Sequence, residues 1–289
     1  MTKPNDSGGC LYVAATPIGN LEDITLRTLR LLREVDLIAC EDTRHTRKLL
    51  SHYDVEKPMV SYHDHNEMVR APELVIQLEQ GAKIALVSDA GLPGVSDPGH
   101  HLISLAIRHG IPVIPLPGPT AFSAALIASG LSASHFHFYG FLPPRKTQRR
   151  KALQALNEQD GTLIFYEAPH RICASIGDML AMLGDRQAVL AREVTKLHEE
   201  FHRGRLSKLH DEVKSRNLKG EFTVLIADAD ALSRKAEQPK KNSSVLTRVE
   251  KLKKQKKLDQ RGALKEVSKE LGITRSEAYR QLQEEKALG

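Results

Sequence analysis

Between residues 11 and 118 the chain alternates five short apolar runs with amphipathic stretches, and this alternation narrows the choice of fold more than any other feature. The runs lie at residues 11–15, 37–40, 59–62, 84–88 and 113–116. Short apolar runs of this kind fit strands buried on both faces. Between them, residues 21–35, 44–53, 67–78 and 102–108 repeat apolar positions at helical spacing, with Leu26, Leu29, Leu32 and Val35 expected on one face of the first. Strand–helix–strand repetition demands right-handed crossovers, so this part reads as an open, mostly parallel sheet covered on both faces.

A chain of 289 residues has room for a second domain and an appendage. Strands expected at residues 136–141, 163–166, 188–192 and 222–227, with helices at 121–129, 149–157, 172–183 and 208–215, predict a second α/β domain with a mixed sheet. The expected division is residues 1–118, 119–230, a linker at 231–244, and a small all-α tail at 245–289. The tail reads as a basic helix followed by a helix–turn–helix-like pair at 262–271 and 275–284. Leu264, Val267, Leu271, Ile273, Ala278 and Leu282 would form its core.

The charge is local. Residues 240–257 hold eight Lys or Arg against Glu250, a net +7, so the remainder of the +6 chain sums to −1. A stretch this dense is a candidate nucleic-acid contact, here through residues such as Lys251 and Lys254. Cys10, Cys40 and Cys173 are odd in number and far apart, which argues against a disulfide framework and for a reducing, cytoplasmic setting. No run approaches the roughly 20 apolar residues of a membrane span, and residues 1–9 lack the apolar core of a signal peptide.

Neither of the common nucleotide fingerprints, G-x-G-x-x-G after the first strand or G-x-x-x-x-G-K-[ST], occurs. Instead, rigid glycine-bearing loops follow the first, fourth and fifth expected strands: ATPIGNL from residue 15, SDAGLPGVSDPG over 88–99 and PLPGPT over 115–120. In a parallel sheet such loops leave one edge, where ligands bind. Within the second of them, Asp97-Pro98 reads as the N-cap and first position of the next helix.

Seven strings then occur in order: ATPIGNLEDIT (15–25), EDTRHTRKLL (41–50), SDAGLPGVSDPG (88–99), PGPTA (117–121), YEAPHR (166–171), AREVTKLHEE (191–200) and KGEF (219–222). On these strings the sequence resembles the bacterial 16S rRNA 2′-O-methyltransferases of the tetrapyrrole-methylase-like class. The resemblance implies two α/β domains of the class III methyltransferase fold, S-adenosyl-L-methionine held in the cleft between them, and a homodimer. It further implies methylation of the ribose 2′-oxygen of cytidine 1402 in 16S rRNA, within the 30S subunit. Carried onto this sequence, the cofactor site would use Pro17, Ile18, Asp89, Ala90, Gly91, Thr120 and Ala121, with Tyr166, Ala191, Glu193, Gly220 and Glu221 from the second domain. The first loop, Thr16-Pro17-Ile18-Gly19-Asn20, stands where the tetrapyrrole branch has a glycine-rich loop, and this suits a non-tetrapyrrole substrate.

Methyl transfer to a hydroxyl demands collinear positioning and removal of a proton. Glu41, Asp42, His63 and Glu167 are the candidate proton acceptors. Arg44, Arg47 and Lys48 share a helix face beside His45, and Arg145, Lys146, Arg149 and Arg171 form further cationic candidates for RNA phosphate. No metal is expected, because His63 and His65 would point opposite ways in a strand. Aromatic residues are 4% with no tryptophan, which favours recognition of RNA backbone and shape over stacking on single strands. Two other readings compete. A small-molecule tetrapyrrole methyltransferase leaves the basic helix and tail without a use. A nucleic-acid-binding regulator with a ligand-sensing body leaves the three loops without one.

Overall fold

A computed structural model describes residues 8–216, 218–229, 246, 249–250, 252–253, 259–271 and 274–287. The chain divides into two compact units, Met1–Ala229 and Asp230–Gly289.

The first unit opens with a five-stranded, all-parallel sheet in the order β3-β2-β4-β1-β5, built from β1 (Cys10–Ala14), β2 (Leu37–Cys40), β3 (Met59–Ser61), β4 (Lys83–Val87) and β5 (Val113–Leu116). Both of its faces are covered. Leu11, Val13, Ile84 and Leu86 pack with α3 (Glu67–Glu79) and α4 (His100–Arg108). Their neighbours Ala14, Ala85 and Val87 pack with α1 (Leu26–Glu34) and α2 (Thr43–His52). The period-two alternation of strand side chains sorts these residues to opposite faces. Because β1 feeds a helix on one face and β4 a helix on the other, these adjacent strands form a switch point at the carboxyl edge.

Two details of this sheet differ from the sequence reading. Leu26, expected on the buried stripe of the first helix, is 86% exposed. A short 3-10 turn at Leu21–Asp23, capped by Asn20, interrupts the stretch, and α1 begins afresh after Thr25, whose hydroxyl accepts from Thr28 N. Leu26 is the first residue of that helix and lies at its exposed start; beyond it Thr28, Leu31, Leu32 and Val35 are buried, with Leu29 packed against them. Asp97-Pro98 also does not open α4. Gly94 N donates to Pro98 O at 3.2 Å and closes that segment into a turn. The helix starts at His100 after Gly99, at φ +144°.

The second sheet has the order β6-β7-β10-β8-β9, from β6 (Phe136–Phe141), β7 (Thr162–Glu167), β8 (Gln187–Arg192), β9 (Glu200–Arg205) and β10 (Phe222–Ile226). Only β6 and β7 are parallel, so the sheet is mixed. Helix α5 (Ala121–Ser129) packs on the face of Ile164, Val189 and Leu225, where Ile18 of the first loop joins it. Helices α6 (Lys146–Leu156), α7 (Ile172–Leu183) and α8 (Leu206–Lys214) cover the opposite face, against Phe165, Leu190 and Val224. The sequence reading missed β9: its segment EFHRGR has one large apolar residue and no alternation to detect. Pairing with β8 along its whole length holds it.

Arg149 is a correction among the expected RNA contacts. Helix α6 begins three residues earlier than its apolar spacing suggested, and Arg149 turns inward. Its Nε and Nη2 donate to Asp178 Oδ2 of α7 at 2.8 and 2.6 Å, while Arg150 Nε donates to Oδ1 at 2.7 Å. The Arg149 side chain is only 7% exposed and does not face RNA.

In the second unit, α9 (Gln260–Leu271) and α10 (Arg275–Ala287) bury Ala263, Leu264, Val267, Ala278 and Leu282 together with Val249 and Leu252. Thr274 and Glu277 cap α10 reciprocally: Glu277 N donates to Thr274 Oγ1, and Thr274 N to Glu277 Oε2. Ile273, Lys251 and Lys254 lie outside the described residues, as does most of the expected basic helix. Among the described residues no helix is long and apolar enough to cross a membrane.

Candidate active site

All five strands of the first sheet run the same way, so the loops after them share one edge. Two of these loops are stapled. Thr16 N donates to Gly91 O at 2.8 Å and Gly91 N to Thr16 O at 3.0 Å, and the Thr16 hydroxyl donates to Ser88 O at 3.1 Å. Gly91 sits at φ +80°, a conformation that favours glycine, beside Ile18. Where these loops face the second sheet there is a cleft of about 260 Å³. Ile18, residues 90–92 and 95–97, Thr120 and Ala121 form one wall. Phe141, residues 166–169, Val194 and residues 221–223 form the other. The lining is mostly apolar, and its charged side chains are Asp97, Glu167 and Glu221, with no Lys, Arg or His. An apolar cleft with only carboxylates suits a ligand that is itself apolar and carries positive charge.

The three carboxylates differ in their freedom. Glu167, only 2% exposed, is fully engaged: Ser175 Oγ donates to Oε2 at 2.5 Å, Ala168 N to Oε1 at 2.9 Å, and Arg171 Nε stands 3.2 Å from Oε1. Glu221 is tied by Lys196 Nζ at 2.9 Å, and the same ammonium donates to Glu193 Oε1 at 3.0 Å. Among the described residues, no cation is paired with Asp97. Burial foremost, then the charge of Glu41, pushes its carboxyl up to about 7, with Asp89 and Asp64 adding to the rise and a hydrogen bond from Ser88 opposing it. A carboxyl poised near neutrality in a cleft has the acid–base balance a proton acceptor needs.

Comparison with known proteins identifies the fold and its chemistry. A family model described as Tetrapyrrole (Corrin/Porphyrin) Methylases matches residues 10–210. The chain belongs to the tetrapyrrole methylase family. It is a methyltransferase. Ribosomal RNA small subunit methyltransferase I of Halalkalibacterium halodurans is 51% identical over 221 residues, 76% of either chain. The protein of the same name from Thermotoga maritima is 45% identical, over 76% of this chain and 98% of its own. Among solved structures, a diphthine synthase aligns with a TM-score of 0.60 at 17% identity, covering 76% of this chain and 90% of its own. A cobalt precorrin-4 methyltransferase aligns at 0.58 and 16%, covering 78% and 97%. These two likenesses speak for the fold alone.

Of the cofactor residues expected for this methylase, Ile18, Ala90, Gly91, Thr120, Ala121, Tyr166 and Glu221 line the cleft. The Tyr166 hydroxyl accepts from Phe122 N at 3.1 Å, and burial pushes its ionisation up to about 12. The others stand behind the lining. Ala191 is fully buried in the core beneath α5. Asp89 Oδ1 accepts from Asp42 N at 3.1 Å. Glu193, at φ +52°, accepts from Glu221 N, and Gly220, at φ +96°, leaves no room for a Cβ beside the Glu193 carboxyl. Pro17 is half-buried and outside the lining.

The expected proton acceptors fare differently. Asp42 caps α2 and grips its own Arg44; hydrogen bonds from Arg44 lower its carboxyl to about 2, which makes it a poor base. Glu41 and His63 stand outside the lining, although burial and Asp89 raise the Glu41 carboxyl. His63 and His65 are not in a strand. They lie in the turn after β3, and their rings come within 5.9 Å. Arg171, expected at RNA, instead donates to Leu142 O at 2.6 Å and pairs with Glu167, so it buttresses the cleft wall. Arg44, His45, Arg47 and Lys48 on α2, and Arg145 and Lys146 at the start of α6, are exposed as expected. Sequence reasoning missed Asp97, because Asp-Pro before a helix has a ready structural explanation. It also missed Phe141, whose orientation depends on a strand irregularity.

Proposed function

We propose that this methylase transfers a methyl group from S-adenosyl-L-methionine to the ribose 2′-oxygen of cytidine 1402 in 16S rRNA of the small ribosomal subunit. The observation that carries the reading is the 45–51% identity, over three quarters of the chain, to proteins named for small-subunit rRNA methylation. The cleft fits the cofactor: its carboxylates complement a sulfonium and an ammonium, and the wall of Ile18, Ala90, Leu92, Thr120 and Ala121 complements an adenosine. Ile18, Ala90, Gly91, Thr120, Ala121, Tyr166 and Glu221 hold the cofactor, with Pro17, Asp89, Ala191, Glu193 and Gly220 shaping the cleft behind them. When bound, the cofactor supplies an electrophilic methyl group on a cationic sulfur. The protein's own part is to hold the ribose hydroxyl in line, exclude water and accept the hydroxyl proton at the Asp97 carboxylate. Arg44, His45, Arg47, Lys48, Arg145 and Lys146 meet phosphates outside the acidic cleft. We assign the protein to the cytoplasm and to a homodimer, with the assembled 30S subunit as substrate.

Calorimetry of the purified protein with S-adenosyl-L-methionine gives saturable one-to-one heat. A folded protein that takes up no cofactor contradicts the assignment. Tritium from labelled cofactor appears on 30S subunits, and nucleotide mapping places it on a ribose; label on a base nitrogen refutes the 2′-oxygen.

The +7 segment lies outside the cleft residues, so deletion of residues 240–289 separates the two binding functions. The truncated chain keeps its cofactor affinity, loses affinity for RNA and shows a shallower salt dependence. An unchanged salt slope shows that the basic segment has no phosphate role.

A further inference from the structure

Strand β6 carries a one-residue bulge beside the cleft. Phe136, His137 and Phe138 pair with Thr162, Leu163 and Ile164, but Gly140 and Phe141 then pair with Phe165 and Tyr166, which leaves Tyr139 as the extra residue. Gly140, at φ +77°, provides the left-handed conformation that the irregularity uses. Side chains alternate along a strand, so unbroken pairing would put Phe141 on the face opposite Phe138. The bulge reverses that. Phe141 shares the face of Phe138, Ile164 and Tyr166 and lines the cleft, while Tyr139 contacts Phe165 on the other face. The ring of Phe141 meets Tyr166 edge-on at 5.7 Å, and 52% of the residue is exposed.

This is a costly place to leave a large apolar ring in water. The 4% aromatic content is also unevenly spread. Phe122, Phe136, Phe138, Phe141 and Tyr166 form one connected group of rings on this face, so the chain-wide average understates what the cleft offers. Arg145 and Lys146, four and five residues beyond Phe141, are exposed cations, whereas the cleft itself holds only carboxylates. An RNA strand therefore keeps its phosphates outside, toward these cations, and presents only one ribose to the cleft. A nucleotide delivered in that way leaves its helical stack and loses its neighbours' stacking.

We propose that the exposed face of Phe141 is the stacking platform for the base of the nucleotide whose ribose enters the cleft, with Arg145 and Lys146 receiving the adjoining phosphates. The proposal rests on the rRNA reading above and names the part of the site that grips the extruded base. Phe141 acts on substrate, so its removal affects RNA and not cofactor. Stacking of one base on an aromatic ring sets the scale, and F141A and F141L lower kcat/KM for 30S subunits by about 5- to 100-fold. Their cofactor affinity stays within a factor of about two, and F141Y and F141W retain most of the activity.

The chain has no tryptophan, so F141W introduces a single indole. Its fluorescence is quenched when a protein-free RNA fragment containing the target cytidine is added, while the indole of Y139W, on the opposite face, is not. The proposal is overturned if F141L is as active as F141Y, if F141A loses cofactor affinity instead, or if the F141W emission ignores the RNA. A wild-type protein that transfers no methyl group to 30S subunits defeats the rRNA reading itself, an outcome distinct from these three.

Discussion

Replacing Asp97 by Asn lowers single-turnover methyl transfer at saturating cofactor by about 100- to 10,000-fold, the range for loss of a general base. Among the described residues, Asp97 is the cleft carboxylate without a cation beside it, since Glu167 is held by Ser175 and Arg171 and Glu221 by Lys196. The pH profile gives a second reading. The ionised form accepts the proton, so wild-type activity rises with pH through the region below and around 7, and a cationic cofactor moves that midpoint lower. The D97N profile is flat over the same range.

Stability moves the opposite way. Burial and Glu41 raise the folded-state carboxyl from 3.8 to about 7, so between those values the folded protein holds the extra proton. The stability associated with Asp97 is complete below about pH 3.8 and is lost as pH rises through about 7. Cofactor-free D97N therefore melts above the wild type at pH 8, and the gap closes toward pH 4. A D97N enzyme of wild-type rate across this range would falsify the assignment of Asp97 as proton acceptor.

Replacing Asp178 by Ala destabilises the first unit by about 3–5 kcal/mol, the usual cost of breaking a buried ion pair by removing one partner. For a unit of this size that corresponds to a fall in Tm of roughly 10 °C. The carboxylate is 4% exposed and takes three hydrogen bonds from two arginines, and its loss leaves the Arg149 guanidinium buried without its counter-charge. Arg150 is 43% exposed, so R150A costs only about 1 kcal/mol or less. Burial alone raises the Asp178 carboxyl, but the hydrogen bonds from Arg150 and Arg149 outweigh it and hold the group below its ordinary value. Its contribution is thus complete above about pH 4 and is lost as pH falls further. Differential scanning calorimetry of the two variants at pH 7 and pH 3 checks both statements. Equal melting temperatures for D178A and the wild type at pH 7 show that the pair carries no net stability.

Much of the architecture was legible in the sequence. Each parallel strand is a short run of small and branched apolar residues, and both faces must be buried, so a single chain pattern implies helices on both sides. The cleft loops were legible too, because glycine and proline at strand ends limit what the backbone can do. Strand β9 was not, since an edge strand held by backbone pairing places no demand on side-chain alternation. Arg149 and Arg171 were misjudged for a related reason. A cation in a basic string looks the same whether it meets solvent or a buried carboxylate, and Asp178 is 29 residues from Arg149 in the chain.

By itself the sequence determined the α/β plan, the parallel first sheet, the mixed second sheet and the glycine-bearing loops that shape one cleft wall. These follow from local rules: apolar periodicity, crossover handedness and the φ angles that glycine permits. Only the tertiary structure decided which carboxylate stays free in the cleft and which aromatic ring faces it. Asp97 depends on where Arg171 and Lys196 fall, and Phe141 on a single residue gained in β6 relative to β7. Charge and orientation in a cleft are set by neighbours brought together from distant parts of the chain, and no local spacing encodes them.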